Sequence, residues 1–260
     1  MRKILLKVIK YMGIVGFDPI RFVNFFRGFP GFIVDYFAIK KQSINSDFPL
    51  YFYPILDDKY KQSGTAKGHY FHQDLLVARR IYINAPNRHV DIGSRIDGFV
   101  GHVATFMNIE IIDIRDLTSV TKNIEFIQAN MIDMRDDLYD YCDSLSCLHA
   151  LEHFGLGRYG DPVDFNGHLK GFVNMHSILK SGGILYISVP IGKQRIEFNA
   201  HRVFSLVYLL KMFQGKFKIV HFSYVNDKGD LNQNVDLTQS SIDDNFDCTY
   251  GCGIFELKKI

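Results

Sequence analysis

The chain has 260 residues, 47% hydrophobic and 22% charged, a balance that excludes wholesale disorder and fits an α/β domain with an extension. Seven prolines and 21 glycines exclude a fibrous or proline-rich chain. Thirty Lys and Arg against 28 Asp and Glu leave +2, so the field of the whole molecule argues against a nucleic-acid partner.

Residues 1–10, MRKILLKVIK, imitate the basic start of a signal peptide, but Lys7 and Lys10 interrupt the apolar run and no small-residue cleavage site follows. No window approaches the roughly 18 uninterrupted apolar residues of a membrane span. Within residues 1–40, Arg2, Lys3, Lys7, Lys10, Arg21, Arg27 and Lys40 face only Asp18 and Asp35, so this stretch carries +5 and the rest −3. It is rich in Phe and Ile and broken by Gly13, Gly16, Pro19, Gly28, Pro30 and Gly31. Two or three short helices are expected, with Leu5, Ile9 and Met12 on one face. Such a segment either caps the main domain or makes a peripheral contact with an anionic membrane surface or a partner.

Residues 41–68 read as a polar connection. From Tyr70 the pattern alternates between helix and strand. Helices are expected over 74–82, 98–108, 165–180 and 201–213, the third stopped by Ser181-Gly182-Gly183. Strands are expected over 89–92, 109–114, 124–128, 141–148, 184–189, 216–225 and 253–257. This alternation predicts a doubly wound, mostly parallel sheet with ligands bound outside the carboxyl ends of its strands. Cys142, Cys147, Cys248 and Cys252 match neither a disulfide scaffold nor the paired CxxC units of a zinc ribbon. They read as reduced, buried thiols of a cytoplasmic protein.

The first turn, HVDIGSRIDGF, ends a strand with Asp91 and turns at Gly93. Arg95 stands where a GxGxxG fingerprint needs its second glycine, which argues against a nicotinamide oxidoreductase. The second strand ends in Asp113, 22 residues after Asp91, a spacing suited to an acid that accepts both ribose hydroxyls. The third runs into Asn130 and Met131.

The acid two residues before Gly93, the second acid, and the run LKSGGILYISVP together resemble the class I S-adenosylmethionine-dependent methyltransferases. The resemblance covers residues 70–260. It implies a Rossmann-like seven-stranded sheet, mostly parallel with an antiparallel last strand, divided as a helical extension over 1–68 and a methyltransferase-like domain over 69–260. It also implies S-adenosyl-L-methionine as cofactor, lined by Asp91, Gly93, Ser94, Arg95, Asp113, Ile114, Asn130 and Met131. Arg95 and Asp97 replace glycines of the usual cofactor loop. They either meet the methionine end, pair with each other, or mark a loss of cofactor binding. The strings GHYFHQD, VDIGSRIDGFVGHV, LHALEHFGLGRYGD, VPIG and FNAHRVF are similar to a domain-of-unknown-function family described from nematodes and found among bacterial surface-polysaccharide genes. That setting implies a small polar acceptor, a sugar hydroxyl of a surface glycan or its precursor.

Methyl transfer to a hydroxyl requires alignment, exclusion of water and a base. His149, Glu152 and His153 form an H-x-x-E-H cluster that resembles the E-x-x-E-H metal site of ubiquinone-type O-methyltransferases. Base, metal ligand and loop-fixing hydrogen bonds are its three readings; His153 is the first choice for the base, and no metal is assigned. His201 joins His149, Glu152 and His153 as a candidate catalytic group. Arg158 and Tyr159 in the glycine-rich loop, His72 ahead of the first strand, and Asn199 and Arg202 after the fifth are candidate acceptor contacts. The alternative function is a non-catalytic module that uses the same sheet for binding or assembly.

Overall fold

The computed structural model describes residues 12–13, 16–43, 47–56, 58–133 and 136–260. It divides into two compact units, Met1–Thr65 and Ala66–Ile260.

Among the described residues of the first unit the long element is one helix, α1 (Pro19–Gln42), and Met12 and Gly13 are also helical. Helix α1 runs straight through Gly28, Pro30 and Gly31; one proline costs a helix one hydrogen bond and a clash but need not end it. Gly28 is required there, because a Cβ would lie 2.4 Å from the Leu56 carbonyl oxygen. Leu5 and Ile9 lie outside the described residues. Among the described residues no helix is long and apolar enough to cross a membrane.

The second unit is built on an eight-stranded sheet. Its strands are β1 (His89–Ile92), β2 (Ile109–Asp113), β3 (Ile124–Gln128), β4 (Cys142–Leu148), β5 (Leu179–Ile191), β8 (Phe217–Val225), β9 (Leu231–Asn232) and β10 (Gly251–Lys259), in the order β3-β2-β1-β4-β5-β10-β8-β9. The first five pair in parallel, while β10 runs antiparallel to both β5 and β8. The two-residue β9 at the edge is the strand beyond the expected seven. A separate ribbon joins β6 (Arg195–Glu197) to β7 (His201–Val203). Every residue of β1 is buried, as a parallel strand covered on both faces requires.

One face carries α2 (His69–Asn84), the helical turn Ile96–Val100 and the short α3 (Gly101–Ala104), which pack Leu76, Val77, Ile81, Phe99 and Val103 onto Ile109 and Ile111. The other carries α4 (Gly167–Ile178) and α5 (Leu206–Phe213), where Phe172 and Phe213 meet Phe217, Phe222 and Phe255. The expected helix 201–213 starts late. Ser205 caps α5 by accepting from the Tyr208 N–H at 3.2 Å, which leaves the extended-favouring His201–Val203 free to pair as β7. The expected stop at residues 181–183 is likewise absorbed into β5, as a register shift opposite Cys142 and Ser144.

Candidate active site

The carboxyl ends of β1 to β4 deliver their turns to one side of the sheet. There a cleft of about 550 Å³, open mouth included, lies between them. Gly93 from the β1 turn, Asp113 and Ile114 from β2, Asn130 and Met131 after β3, and His149 and His153 after β4 line it together with Tyr159. Ile92, Ile112, Ala129, Ala150 and Phe154 give it apolar walls. Gly93 has φ +69, and a Cβ there would press on Ala150 Cβ at 3.1 Å, so this turn needs glycine to leave the cleft open.

Asp91 does not reach that cleft. It is fully buried and accepts from the Ser94 N–H (2.9 Å), the Ser94 hydroxyl (2.7 Å) and the Ser146 hydroxyl (2.5 Å). Burial pushes its carboxyl up to about 6 against those hydrogen bonds. Its geometry is that of a brace for the turn. Ser94 and Arg95 line a neighbouring cleft of about 860 Å³, where Asp113 and Arg115 also appear. Arg95 pairs with Asp97 at 3.1 and 2.8 Å, both side chains well exposed.

Asp113 accepts from Arg115 three times: from the backbone N–H (2.9 Å), Nε (3.1 Å) and Nη2 (2.6 Å). The Arg115 guanidinium rests 4.6 Å from the Tyr159 ring centroid. Neither Arg115 nor Ser146 was singled out by sequence reasoning; the signal for Arg115 was its place two residues after a strand-end acid. Asn130 uses its side-chain oxygen on the Ile132 N–H at 3.0 Å.

His153 Nδ1 donates to the Ala200 carbonyl at 2.7 Å, which directs the lone pair to Nε2. Burial lowers its pKa, opposed by Glu152 and aided by Arg158, so the ring is neutral at pH 7. Arg158 donates to the same carbonyl at 3.0 Å, and the Tyr159 ring stands edge-on to His153 at 5.3 Å. Asp161 organises this loop by accepting from the N–H groups of Gly155, Gly157 and Tyr159.

His149 and His153 do not share a helical face. His149 sits at φ +53 and the turn Leu151–His153 is 3-10, so the two rings diverge around Glu152. Glu152 Oε1 lies 2.7 Å from His149 Nδ1 and 3.8 Å from His153 Nε2. Burial disfavours charge on both His149 and Glu152, yet Cys252 and Glu152 raise the imidazole and His149 lowers the carboxyl.

The remaining expected residues lie apart from the cleft. The His201 ring lies tilted against Tyr250 at 5.1 Å and stands 3.5 Å from Glu197. Asn199 is exposed in the β6–β7 turn, and His72 packs against Phe71 on α2. Arg202 is buried and spends its guanidinium on the carbonyls of Glu152 (3.3 Å), Phe154 (2.6 Å) and Phe165 (3.1 Å).

Residues 101–260 match the model of the family described as "Caenorhabditis protein of unknown function, DUF268". The chain belongs to that family. The match begins after the β1 glycine turn, and the family's description assigns no activity. No curated protein matches the chain. Among solved structures it is similar to the [4+2]-cyclase SpnF at 13% identity and TM-score 0.51, over 72% of this chain and 80% of that one. A putative sarcosine dimethylglycine methyltransferase from Galdieria sulphuraria aligns at 11% identity and TM-score 0.51, over 72% and 85%. The N-methyltransferase NodS from Bradyrhizobium japonicum aligns at 11% identity and TM-score 0.50, over 75% and 99%. At these identities what is shared is the fold, a Rossmann-like sheet with its antiparallel strands toward the C-terminus.

Proposed function

We propose that this DUF268 member is an S-adenosyl-L-methionine-dependent methyltransferase acting on a small polar acceptor, a sugar hydroxyl of a surface glycan or its precursor. The supporting observation is the cleft itself. An open glycine turn, a strand-end acid and an Asn-Met turn border it on three adjacent parallel strands, and a neutral histidine stands in the same wall. The apolar stretch of Ile112, Ile114, Ala129 and Met131 fits an adenine ring, and Asp113 fits a ribose. When bound, the cofactor supplies an electrophilic methyl group. The chain supplies position, exclusion of water and a base. His153 Nε2 takes the acceptor's proton, while Ala200 holds Nδ1–H and keeps the ring in the competent tautomer. Arg158 and Tyr159 border the acceptor side.

One observation favours a second reading, a non-catalytic binding module: Asp91 is sealed by Ser94 and Ser146, and Asp113 is held by Arg115. Calorimetric titration with S-adenosylmethionine and S-adenosylhomocysteine separates the two. Micromolar binding supports the enzyme, and no binding at millimolar nucleoside leaves the module. Mass spectrometry of glycans from cells with and without the gene then identifies the acceptor as the one missing a methyl group.

The first unit fits work beside a membrane. Phe22, Val23, Phe26, Val34 and Phe37 of α1 are exposed on a helix with four basic side chains against Asp35 alone. Co-sedimentation with anionic but not neutral vesicles, abolished by Phe22→Asp with Phe26→Asp, tests this; equal recovery with both vesicle types refutes it.

A further inference from the structure

Behind the cleft, three elements bring a nitrogen–nitrogen–sulfur set together. His69 opens α2, His149 forms the turn after β4, and Cys252 lies near the start of β10. One donor atom from each lies within 4.8 Å of the other two. We propose that His69, His149 and Cys252 form a binding site for a thiophilic divalent cation, zinc, with Glu152 orienting His149 from behind.

The second observation that points to a ligand is an orphan atom. His149 is 8% exposed, its Nδ1–H donates to Glu152 Oε1 at 2.7 Å, and its buried Nε2 has no hydrogen-bond partner. A carboxylate behind one imidazole nitrogen with the other left bare is the arrangement that zinc-bound histidines use to fix ring and tautomer. A metal bound by the Cys252 sulfur displaces the thiol proton as it binds. His69 is steadied in the same way, through a hydrogen bond with the Tyr250 backbone. Cys252 Sγ lies 3.7 Å from Gln73 Oε1 and 3.9 Å from the Gly253 carbonyl, and it interacts with the His149 imidazole.

The surroundings suit a soft ion. The His69 and His149 rings lie parallel with centroids 5.1 Å apart, Tyr250 covers His69 at 5.4 Å, and Tyr70 covers His149 at 5.1 Å. No carboxylate belongs to the set, which disfavours calcium and magnesium. Donors around tetrahedral zinc lie about 3.3–3.6 Å apart, so the three need to close by at most about 1.5 Å, within the reach of side-chain rotation. The left-handed backbone of His149, unfavourable for a residue with a Cβ, is the kind of local cost that persists where it aims a side chain. Three protein ligands leave a fourth position open.

His149 also borders the nucleoside cleft, but the test needs no nucleoside and reads the metal directly. The full chain is dialysed against zinc, then against buffer, and its metal is measured; in parallel the metal-free chain is titrated with cobalt and its near-ultraviolet thiolate-to-cobalt band recorded. One equivalent of zinc and a cobalt–thiolate band are expected. Cys252→Ser removes the band, Glu152→Gln weakens cobalt binding about 10- to 100-fold, and Cys248→Ala leaves both unchanged. Wild-type chain that retains no zinc and gives no thiolate band overturns the site, as does a band that survives Cys252→Ser. The wild-type spectrum decides the question even if a variant fails to fold.

Discussion

Asp113 and Arg115 are locked together where two clefts meet, and each side chain lines both. The acid that would receive a ribose is therefore already answered by an arginine two residues away, which in turn leans on Tyr159.

A nucleoside must share Asp113 with that arginine. Asp113→Ala is expected to weaken S-adenosylhomocysteine binding about 10- to 100-fold, the value of one or two hydrogen bonds to a charged group. Thermal stability should move little, because the Arg115 end of the pair is open to solvent and such an ion pair contributes about 1 kcal/mol. Calorimetry and a melting curve on the same sample check both.

His153 makes a prediction about acid pH. Its pKa is lowered by burial, so the base stays competent down to below pH 6.5 and activity falls only on the acid side. His153→Ala should cost about 10²- to 10⁴-fold in rate. Arg158→Met removes a nearby positive charge that disfavours the imidazolium, so the acid limb of the rate profile should move to higher pH.

Buried titrating groups set the pH dependence of folding. His89, held between Ser144 and Ser146, is lowered to about 3, and His69 and His168 to about 4, each mainly by burial. Between about pH 4 and 6.5 the unfolded chain binds protons that these folded groups refuse, so stability falls as pH drops. Asp91 opposes them. Its folded carboxyl near 6 holds a proton that the unfolded one releases, so its contribution is lost as pH rises from about 4 to 6, on the order of 3 kcal/mol. Asp91→Asn should therefore make the melting temperature depend more steeply on pH in that window; an unchanged slope would refute the assignment.

Arg202 should matter for stability more than for binding. Removing its guanidinium strands three backbone carbonyls around the His153 turn, and Arg202→Ala is expected to cost about 3 kcal/mol. Arg202→Lys should recover little, since one ammonium cannot span all three. Denaturant midpoints for the two variants provide the check.

The parallel half of the fold was legible because strands such as β1 and β2 carry their acids and glycine at fixed places beside short apolar runs. The seven expected strands lie in the sheet, though their ends moved where a cap such as Ser205 or a bulge in β5 decided the boundary. The candidate site was legible as positions but not as partners. That Asp91 would be enclosed depended on Ser146, a neighbour only because β1 and β4 pair in register. That His149 would face Cys252 depended on β10 returning beside β5, which no local pattern encodes. The unbroken length of α1 was missed because glycine and proline are read as breaks, whereas Gly28 is there for a close approach to Leu56.

The position of β10 governs how the second unit can assemble. β8 and its edge neighbour β9 join the other strands through β10, and β10 bonds on its other side to β5. The antiparallel pair of β8 and β10, formed from strands that β9 separates in sequence, is therefore expected to dock as a piece onto the parallel half. Non-local pairing of this kind is slow, and refolding should show its last phase there, with the side chain of Cys252 among the final groups to lose water.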